Sequence, residues 1–558
     1  MSKFKVYGFA CVFLILLTIS LFYPSLQFSF VNYDDPQILT SNRLVKNFDL
    51  YSMFFKPSPQ VASGDYLPLT VLSFAIENYF FEMNPYTFHL SNLILHTINV
   101  LLLFLFLLKL TTNNKMAFVS AAIFAIHPLH IESVAWVTER KDLLCALFFL
   151  LSLLTYLKIK ECEGENKNRG HLWVICFSTF ILAVLAKAMA LTLPLLFILI
   201  DFNCGKIKVS NKVLFLLAAI GFTLFHIHLH GIYDKGNLFY LGGPEEIMLG
   251  ALSAIGFYLS RAVYPINLSV LYENPRGVLK SGEIIVAFLI FGTLLWGVLK
   301  ASAANRKWIV FGLVFFIISI LPTLQFFPYG TGFIFADRYF YLPSIGLFLS
   351  LSFLFLSLFK NEHFQKGILC LVFIGFFGLS NQRLSVWKDS ETLWKDALAK
   401  FPNSSIALTN LGAVRYSQGR KSEAESLFKK SIDLNHDQPS AHSNLGVLYV
   451  SRGELELAIR EYEQALALRP QSSLFHYNLG NVNVASGRIA QAIKAYTRAV
   501  EIDSQYVAAY FNLGSVFAQQ RRWQDAIQIY EKILSFDPTQ TRARENIKAI
   551  TEIAKESH

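Results

Sequence analysis

The stretch NLGVLYVSRGELELAIREY (444–462) contains the pattern that decides the fold of the C-terminal part of the chain. Its opening tripeptide, Asn-Leu-Gly, occurs four times at intervals of 34 residues, at 410–412, 444–446, 478–480 and 512–514. A turn glycine, an alanine and an aromatic residue four positions after the alanine keep the same spacing. They are Gly419, Gly453 and Gly487; Ala424, Ala458, Ala492 and Ala526; and Phe428, Tyr462, Tyr496 and Tyr530. Because small residues let two helices touch and an aromatic side chain fills the next groove, this period predicts stacked helix–turn–helix units.

A period of 34 residues with these positions is typical of tetratricopeptide repeats. We therefore predict an α-solenoid domain over residues 383–558, following a membrane domain over residues 1–382. The solenoid would contain a half repeat, four full repeats near 405–540 and a capping helix at 541–556. Trp394, Ala397 and Pro402 mark the half repeat.

The asparagine of each tripeptide occupies one repeat position, and stacking places such a position in a continuous row. The four residues are Asn410, Asn444, Asn478 and Asn512. Their amides offer both donors and acceptors, which match the backbone of an extended peptide. The ladder resembles the asparagine ladder in the repeats of the nucleocytoplasmic O-GlcNAc transferase, and this resemblance implies peptide binding. The alternative is that each amide only satisfies a neighbouring helix.

The composition of the first part of the chain indicates a membrane domain. The whole chain is 54% hydrophobic and only 16% charged, and it contains 52 phenylalanines. Apolar runs long enough to cross a bilayer recur, and we predict eleven spans. They lie near 6–24, 88–110, 116–134, 142–158, 171–187, 189–202, 213–230, 283–300, 308–324, 341–359 and 367–381. The segment 250–268 contains Arg261 and Pro265, and we expect it to be a partial or interfacial helix.

Basic residues fall on alternate connections between these spans, which puts the N-terminus in the cytoplasm and leaves the first span as a retained anchor. The odd count places three polar segments (25–87, 127–142 and 326–341) and the repeats on the non-cytoplasmic side. That side is the periplasm in a bacterium and the lumen of the endoplasmic reticulum in a eukaryote. The net charge of +10 suits contact with anionic membrane lipids.

The first outer segment contains two adjacent acids, Asp34 and Asp35, before Pro36. Adjacent carboxylates repel each other, and beside a membrane they are also partly desolvated. The pair therefore costs free energy unless a cation or a role as a base compensates. The alternative is that both residues only start a turn, a common position for aspartate.

Several motifs follow one another in a fixed order. They are NYDDPQ (32–37), HLSNLILHTINVLLLF (89–104), HPLHIESVAWVTERKDLL (127–144), YPINLSVLY (264–272) and ADRYFYLPSIG (336–346). Together with the repeats they resemble the transmembrane and tetratricopeptide-repeat-containing proteins, which are similar to protein O-mannosyltransferases and belong to the C-type multispanning glycosyltransferases. The resemblance covers nearly the whole chain.

This resemblance implies an enzyme that moves a sugar, usually mannose, from a polyprenyl phosphate to Ser or Thr hydroxyls of a protein acceptor. The acidic pair of the family matches Asp34 and Asp35. Where relatives commonly have Lys-Glu in a turn between two spans, this chain keeps Lys187 but has Ala188 in place of the acid.

Sugar transfer from a phosphate needs a base for the acceptor hydroxyl, cations for the departing phosphate, and a site that excludes water. Asp34 or Asp35 is the predicted base. The predicted phosphate-binding cations are Arg338, Arg140, Lys141 and Lys187. For Arg140 and Lys141 the alternative is interfacial anchoring, and Asp337 is the expected partner of Arg338.

His127, His130 and Glu132 are predicted to orient the donor. Their spacing also fits a zinc site, so a divalent cation stays possible and its ligands unknown. Apart from the lipid-linked sugar, which is a substrate, no cofactor is indicated. The sequence contains no Gly-rich phosphate loop, which disfavours a nucleotide-sugar donor, and nothing indicates a nucleic-acid partner.

Two other functions fit these features less well. One is a ligase that moves a whole lipid-linked glycan. The other is a non-enzymatic scaffold whose repeats recruit partners while the membrane part only anchors them. A scaffold would need one or two spans rather than eleven with acids and arginines on one face.

Overall fold

The computed structural model describes residues 3–55, 66–162, 169–205, 212–233, 244–272, 281–324 and 335–556. Every regular element in these ranges is a helix, as the sequence predicts. The chain divides into two compact units, Met1–Lys400 and Phe401–His558. The division falls after Lys400 rather than after residue 382, because the helix of the predicted half repeat packs within the N-terminal unit.

The N-terminal unit contains seventeen α-helices in the described ranges. They are α1 (Lys3–Phe22), α2 (Arg43–Asn47), α3 (Leu50–Phe55), α4 (Pro68–Phe81), α5 (Pro85–Thr111), α6 (Asn114–Ile126), α7 (Ile131–Ala135), α8 (Arg140–Glu161), α9 (Gly170–Ala186), α10 (Leu193–Asn203), α11 (Val213–Tyr233), α12 (Pro244–Val263), α13 (Ser281–Lys300), α14 (Ala303–Ile320), α15 (Ser344–Leu358), α16 (Glu362–Val386) and α17 (Ser390–Lys400). Short 3-10 turns and one π turn, Pro36–Thr40, join them.

Six helices in the described ranges are long and apolar enough to cross a membrane. They are Tyr7–Gln27, Pro85–Thr111, Val137–Glu161, Glu245–Val263, Ala303–Thr323 and Glu362–Val386. The pair Asn114–Ile126 and Pro128–Ala135 meets the same criteria as one span bent by 54°. Five shorter apolar helices follow: Gly170–Ala186, Ala188–Asn203, Val213–Leu229, Ile285–Lys300 and Ser344–Leu358. The protein is therefore a membrane protein, and each of the eleven predicted spans coincides with one of these apolar elements.

Helix α12 coincides with the segment predicted to be a partial or interfacial helix. It is a continuous helix of 20 residues, so it is not partial, and its interfacial position stays a prediction. Arg261 does not interrupt it, because the guanidinium is buried over the ring of Phe257, 5.4 Å from the ring centroid. The helix ends at Val263, two residues before Pro265, where the missing N–H would otherwise break it.

Close backbone contacts and buried asparagines hold the N-terminal unit together. In α14 and α15, Gly312 and Gly346 face each other so closely that an added Cβ on either would collide with the other backbone. Asn92 on α5 donates to the carbonyl oxygens of Val134 at 3.2 Å and Trp136 at 3.4 Å. A side chain of α5 thus satisfies backbone groups in the turn between α7 and α8, which positions the residues described below.

The C-terminal unit is built of nine helices in antiparallel pairs, in the part of it that is described. They are α18 (Ser405–Ser417), α19 (Lys421–Leu434), α20 (Pro439–Val450), α21 (Leu455–Leu468), α22 (Ser473–Ala485), α23 (Ile489–Ile502), α24 (Val507–Gln519), α25 (Trp523–Phe536) and α26 (Thr541–Glu556). These are the four predicted full repeats and the capping helix.

The glycines of the repeat have two roles, of which the sequence predicts the one in the turn. An added Cβ at Gly446 would lie 2.8 Å from the ring of Tyr462, so only glycine lets the two helices of the pair meet there. The turn glycine Gly453 has φ +79°, a backbone conformation that side chains disfavour. The tetratricopeptide fold of this unit is thereby confirmed.

Candidate active site

Asp35 is a buried residue whose carboxylate is fully engaged. It is 1% exposed. One oxygen accepts hydrogen bonds from the Trp136 indole at 2.9 Å and the Thr138 hydroxyl at 3.0 Å, and the other accepts from the Val31 backbone at 2.8 Å. Burial raises the pKa of Asp35 to about 7, against these hydrogen bonds, which lower it. Asp35 therefore fixes the loop after α1 onto the turn before α8.

Asp34 occupies a different position, because its side chain is only half-buried. Its neighbour Tyr33 stacks on Trp136 with ring centroids 5.0 Å apart. Burial raises the pKa of the Tyr33 phenol, Arg338 lowers it, and the charges of Asp34 and Glu132 raise it further. Asp34, Arg338 and Glu132 thus all act electrostatically on the same phenol. The half-buried acid of the pair is therefore linked through Tyr33 to Arg338 and Glu132, which belong to the charged cluster described next.

Three predicted cations converge on one carboxylate, that of Glu139, which is fully buried. Lys141 Nζ lies 2.9 Å from Glu139 Oε1, and Arg338 Nε lies 3.5 Å from the same oxygen. Lys187 Nζ lies 3.6 Å from Glu139 Oε2. The structure therefore brings together Arg338, Lys141 and Lys187, which come from three separate segments of the chain.

Two further acids complete this cluster. Arg338 donates from Nη1 to Glu132 Oε1 at 2.6 Å, and Lys187 donates from Nζ to Asp142. The Ser133 hydroxyl donates to the other oxygen of Asp142 at 3.0 Å. The cluster therefore holds three cations and three acids, so that none of these buried charges lacks a counter-charge.

Sequence reasoning missed Glu139 and Asp142 as members of the site. The available signal was the dense alternation of charge in TERKD (138–142), at the mouth of an apolar helix. A second signal was Lys187, which lacks the acidic neighbour of its relatives. Asp142 and Glu139 supply its counter-charge instead, although most of α8 and all of α9 separate them from Lys187 in the sequence.

Arg140 does not face the cluster, and the structure does not support its predicted contact with a donor phosphate. Its guanidinium is 2% exposed and pairs with Glu77 at 2.5 Å. It also donates to Asn92 Oδ1 at 2.8 Å and to the Phe88 carbonyl at 2.9 Å, and it lies over the ring of Phe74. Because all three guanidinium nitrogens have internal partners, Arg140 has a structural role in joining α4, α5 and α8.

His127 and His130 are also internal, and their role in orienting the donor stays a prediction. Both are fully buried. His127 Nε2 donates to the Ala262 carbonyl at 3.1 Å, and His130 Nδ1 donates to the Phe124 carbonyl at 2.7 Å. The second ring nitrogen of each also has a partner. The described residues contain no group of three His, Cys, Asp or Glu side chains that could hold a metal ion.

Asp337 is not the partner of Arg338, contrary to expectation. Its Oδ1 accepts a hydrogen bond from the Tyr272 hydroxyl at 2.5 Å, and its Oδ2 lies 3.6 Å from Arg383 Nη2. Asp337 thus holds the turn at 337–340 against α16, while Arg338 points to Glu132 on the other side.

The loop after α1 also contacts α17 and the residues before it. Asn32 accepts a hydrogen bond from the Trp394 indole at 2.6 Å, and its backbone N–H donates to the Ser390 hydroxyl at 2.9 Å. Trp387 stacks on Trp136 with ring centroids 5.5 Å apart. The end of α16 therefore lies at the same end of the bundle as Asp34.

The four ladder asparagines of the repeats are half-buried, but they do not behave alike. Asn410 donates to the Ile406 carbonyl of its own helix at 3.0 Å, and Asn512 donates to Asn481 Oδ1 at 2.8 Å. Asn444 and Asn478 make no side-chain hydrogen bond to the described residues. Their role in peptide binding stays a prediction.

Comparison with known protein families supports the tetratricopeptide repeats of the C-terminal unit. Two tetratricopeptide-repeat families match the chain, one at residues 378–441 and 477–541 and the other at 448–487. Among solved structures, YrrB, described as a TPR protein with an unusual peptide-binding site, is 21% identical, with a TM-score of 0.27 over 29% of this chain and 84% of that chain. MamA is 24% identical, with a TM-score of 0.26 over 27% of this chain and 90% of that chain.

Curated relatives extend over much more of the chain. The human protein O-mannosyl-transferase TMTC4 is 27% identical over 430 residues, which cover 66% of this chain and 58% of the relative. The protein O-mannosyl-transferase F38B6.6 of Caenorhabditis elegans is 27% identical over 72% of this chain and 59% of the relative. The chain thus spans about three fifths of the length of these relatives. The resemblance inferred from the motifs is confirmed: the chain is similar to protein O-mannosyl-transferases of the TMTC series, and its C-terminal part matches tetratricopeptide-repeat families.

Proposed function

We propose that this protein is a membrane glycosyltransferase that moves mannose from a polyprenyl-phosphate donor to Ser or Thr hydroxyls of a protein acceptor. The observation that carries the proposal is the cluster of three cations, Arg338, Lys141 and Lys187, together with the half-buried Asp34, whose charge acts on the same Tyr33 phenol as that of Arg338. A base next to fixed positive charge is the pairing that transfer from a phosphate requires. The relatives named protein O-mannosyl-transferases support the same reaction class.

In this proposal Asp34 is the base and Asp35 positions it. Asp35 has three hydrogen bonds to the protein and no free access, so it cannot approach an acceptor hydroxyl. Asp34 accepts the proton of a Ser or Thr hydroxyl, and the freed oxygen forms a bond to the anomeric carbon of mannose. A base of this kind contributes roughly 10² to 10⁴ in rate.

The bond from the anomeric carbon to the phosphate oxygen breaks as the new bond forms, and its electron pair leaves with polyprenyl phosphate. Direct attack opposite this leaving group inverts the anomeric carbon. Lys187 and Lys141 stabilise the charge that develops on the phosphate, and Arg338 adds a guanidinium to the same cluster. Their acidic partners hold the cations in place before the donor arrives, so that little reorganisation is needed during the reaction.

The repeats are proposed to hold the acceptor polypeptide. The amides of Asn444 and Asn478 are open to a peptide backbone, whereas those of Asn410 and Asn512 already have partners in the repeat unit. Changing Asn444 and Asn478 to Asp should raise the acceptor KM and leave the donor KM unchanged. Equal acceptor KM values in the double variant and the parent would count against the peptide groove.

The site is proposed to face the periplasm or the lumen of the endoplasmic reticulum. The first outer loop follows α1, so it lies at the opposite end of the bundle from Lys3, on the non-cytoplasmic side if the N-terminus is cytoplasmic. The contacts of Asn32 with Ser390 and Trp394 put the end of α16 at that same end. The two ends of the membrane part then lie on opposite sides, so the number of crossings is odd. Of the apolar helices, which include α12, at least one therefore does not cross fully.

The test is a transfer assay with the full chain in proteoliposomes. Polyprenyl-phosphate mannose and a peptide rich in Ser and Thr are supplied, and mannosylated peptide is measured by mass spectrometry. We expect transfer by the parent and a loss of roughly 10² to 10⁴ in kcat for Asp34→Asn. Asp49→Asn is the matched control. Asp49 is an acid on the same loop whose side chain caps α3, and this variant should retain the parental rate.

Other outcomes separate the alternatives. Transfer from a nucleotide mannose but not from the lipid donor would contradict the proposed donor. Transfer of an intact glycan from a lipid-linked oligosaccharide would favour a ligase. A parent that transfers nothing from any of these donors, while still binding peptides, would favour the scaffold.

A further inference from the structure

The turn Asp337–Phe340, which contains Arg338, is held by hydrogen bonds to the surrounding helices and loops. The Tyr258 hydroxyl donates to the Ala336 carbonyl at 3.0 Å, and the Tyr272 hydroxyl donates to Asp337 at 2.5 Å. Arg338 is fixed by Glu132 at 2.6 Å. These contacts make the turn rigid before any ligand binds.

Tyr339 is the exception within this turn. It is 6% exposed, yet its hydroxyl is buried without a hydrogen-bond partner among the described residues. By contrast, the hydroxyl of Tyr341, two residues further on, bonds to His96 Nδ1 at 2.7 Å and to Asn99 Nδ2 at 3.4 Å. A buried hydroxyl with no partner is costly, and native proteins rarely keep one without a reason.

The surroundings of Tyr339 define what would satisfy its hydroxyl. The guanidinium carbon of Arg338 lies 5.1 Å from the centroid of the Tyr339 ring, and Lys187 Nζ lies 5.7 Å from it. Two cations of the cluster therefore lie near the ring whose O–H is unpaired among the described residues. The phenol can donate one hydrogen bond, and an anionic acceptor would meet both this donor and the nearby cations.

We propose that Tyr339 donates a hydrogen bond to a phosphate oxygen of the lipid-linked sugar donor. The inference rests on the proposed function and assigns a further donor-binding residue to the same site. Lys187 and Arg338 supply the positive charge, and Tyr339, whose ring lies near both, supplies the hydrogen-bond donor. The Tyr339 hydroxyl forms this hydrogen bond only when the lipid-linked sugar binds.

The sharpest test is the pair Tyr339→Phe and Tyr341→Phe in the full chain. Tyr339→Phe removes an O–H that stabilises nothing in the free protein, so the melting temperature should stay the same or rise. The KM for polyprenyl-phosphate mannose should increase about tenfold or more, the size expected for losing a hydrogen bond to a charged group, while the acceptor KM stays constant. Tyr341→Phe should do the reverse, with a lower melting temperature and a donor KM equal to that of the parent.

A second measurement separates the phosphate from the sugar. Polyprenyl phosphate without sugar is used as a competing ligand, and its dissociation constant is measured directly. A contact with phosphate predicts that Tyr339→Phe weakens this binding by the same factor as it raises the donor KM. Unchanged binding of polyprenyl phosphate, with or without a change in the donor KM, would overturn the assignment to phosphate.

Failure of this inference is distinguishable from failure of the proposed function. If the parent transfers mannose and Tyr339→Phe has the parental donor KM, the inference is wrong and the function stands. If the parent transfers nothing but binds polyprenyl phosphate less tightly after Tyr339→Phe, the contact stands and the reaction is wrong. A lower melting temperature of Tyr339→Phe with unchanged lipid binding would show a merely structural residue.

Discussion

Two ion pairs of the same length show how differently the two units use charge. Arg338 and Glu132 pair at 2.6 Å in the membrane unit, with side chains 11% and 0% exposed. Arg488 and Glu456 also pair at 2.6 Å in the repeat unit, but their side chains are 39% and 63% exposed. Buried ions are expensive to leave unpaired, whereas exposed pairs contribute little. Distance alone therefore does not indicate importance; the surroundings of a pair decide what its loss costs.

The largest effect on stability is expected at the centre of the buried cluster. Glu139→Gln keeps the volume of the side chain but leaves Lys141, Lys187 and Arg338 with one counter-charge fewer. Breaking a buried pair in this way costs about 3–5 kcal/mol. We expect faster hydrogen exchange throughout residues 131–142, measured by mass spectrometry on the full chain in detergent.

The double change Glu139→Gln with Lys141→Met tests whether this cost comes from charge. Removing one cation together with the acid should recover part of the loss, because fewer charges are then left unpaired. If the double variant exchanges faster than Glu139→Gln alone, the cluster is not held by charge balance, and the contrast with the repeat unit fails.

A smaller effect is expected at Asp35, whose carboxylate accepts from three donors. Asp35→Asn replaces one oxygen by an NH₂ group, which must then face either Val31 N–H or the donors of Trp136 and Thr138. Leaving a buried donor unsatisfied costs about 1–3 kcal/mol. We expect a lower melting temperature for Asp35→Asn but not for Asp34→Asn, whose side chain is half-exposed. Equal melting temperatures of the two variants would mean that Asp35 has no special positioning role.

The pH dependence of this difference has a definite sign. Burial raises the pKa of Asp35 to about 7 from an ordinary value of 3.8, so the folded chain holds the proton more tightly than the unfolded chain. Its contribution to stability is full below about pH 4 and is lost as the pH rises to about 7. The advantage of the parent over Asp35→Asn should therefore shrink between about pH 4 and about pH 7. An advantage that grows with pH would contradict the raised pKa.

The same contrast explains what could be predicted from the sequence. The repeat unit is local: a residue and its partner lie within one repeat or the next, so a period of 34 residues predicted its helices and its turn glycines. It did not predict that Gly446 meets the ring of Tyr462. Hydropathy likewise gave the apolar helices, because a span is a continuous stretch. It did not predict the full length of α12, in which Arg261 lies over the ring of Phe257, one turn earlier in the same helix.

The charged cluster could be predicted only in part. The segments were found, and Arg338, Lys141 and Lys187 do meet, but the sequence did not show that they meet on Glu139. Arg338 and Glu132 are 206 residues apart, and no local pattern pairs residues at that separation. For the same reason the sequence did not show that Arg140, a residue type that often binds phosphate, pairs internally with Glu77.

A moderate effect is expected in the repeat unit at its closest helix contact. An added Cβ at Gly480 would collide with the ring of Tyr496, and the Tyr496 hydroxyl is held by Asn481 at 2.7 Å, so the ring cannot easily move away. Overpacking costs about 1–3 kcal/mol, of which the better helix propensity of alanine offsets up to about 1 kcal/mol. Gly480→Ala should therefore speed hydrogen exchange in residues 473–502.

The double variant Gly480→Ala with Tyr496→Leu is the control for this contact. The smaller leucine makes room for the new methyl group, so the double variant should cost less than the sum of the two single changes. Simple additivity would show that the clash does not decide the cost.

The smallest effect is expected for Glu456→Gln, the counterpart of the buried change at Glu139. Arg488 loses its partner there, but both side chains remain in contact with water, which solvates the guanidinium once the acid is gone. The expected cost is about 0–1 kcal/mol, and salt should reduce it further because mobile ions already screen an exposed pair. Hydrogen exchange in residues 455–502 should hardly change, and the small difference should vanish at high salt. A loss as large as that of Glu139→Gln, or one that persists at high salt, would mean that the repeat unit relies on this pair as the membrane unit relies on its cluster. The two units would then not differ in how they use charge.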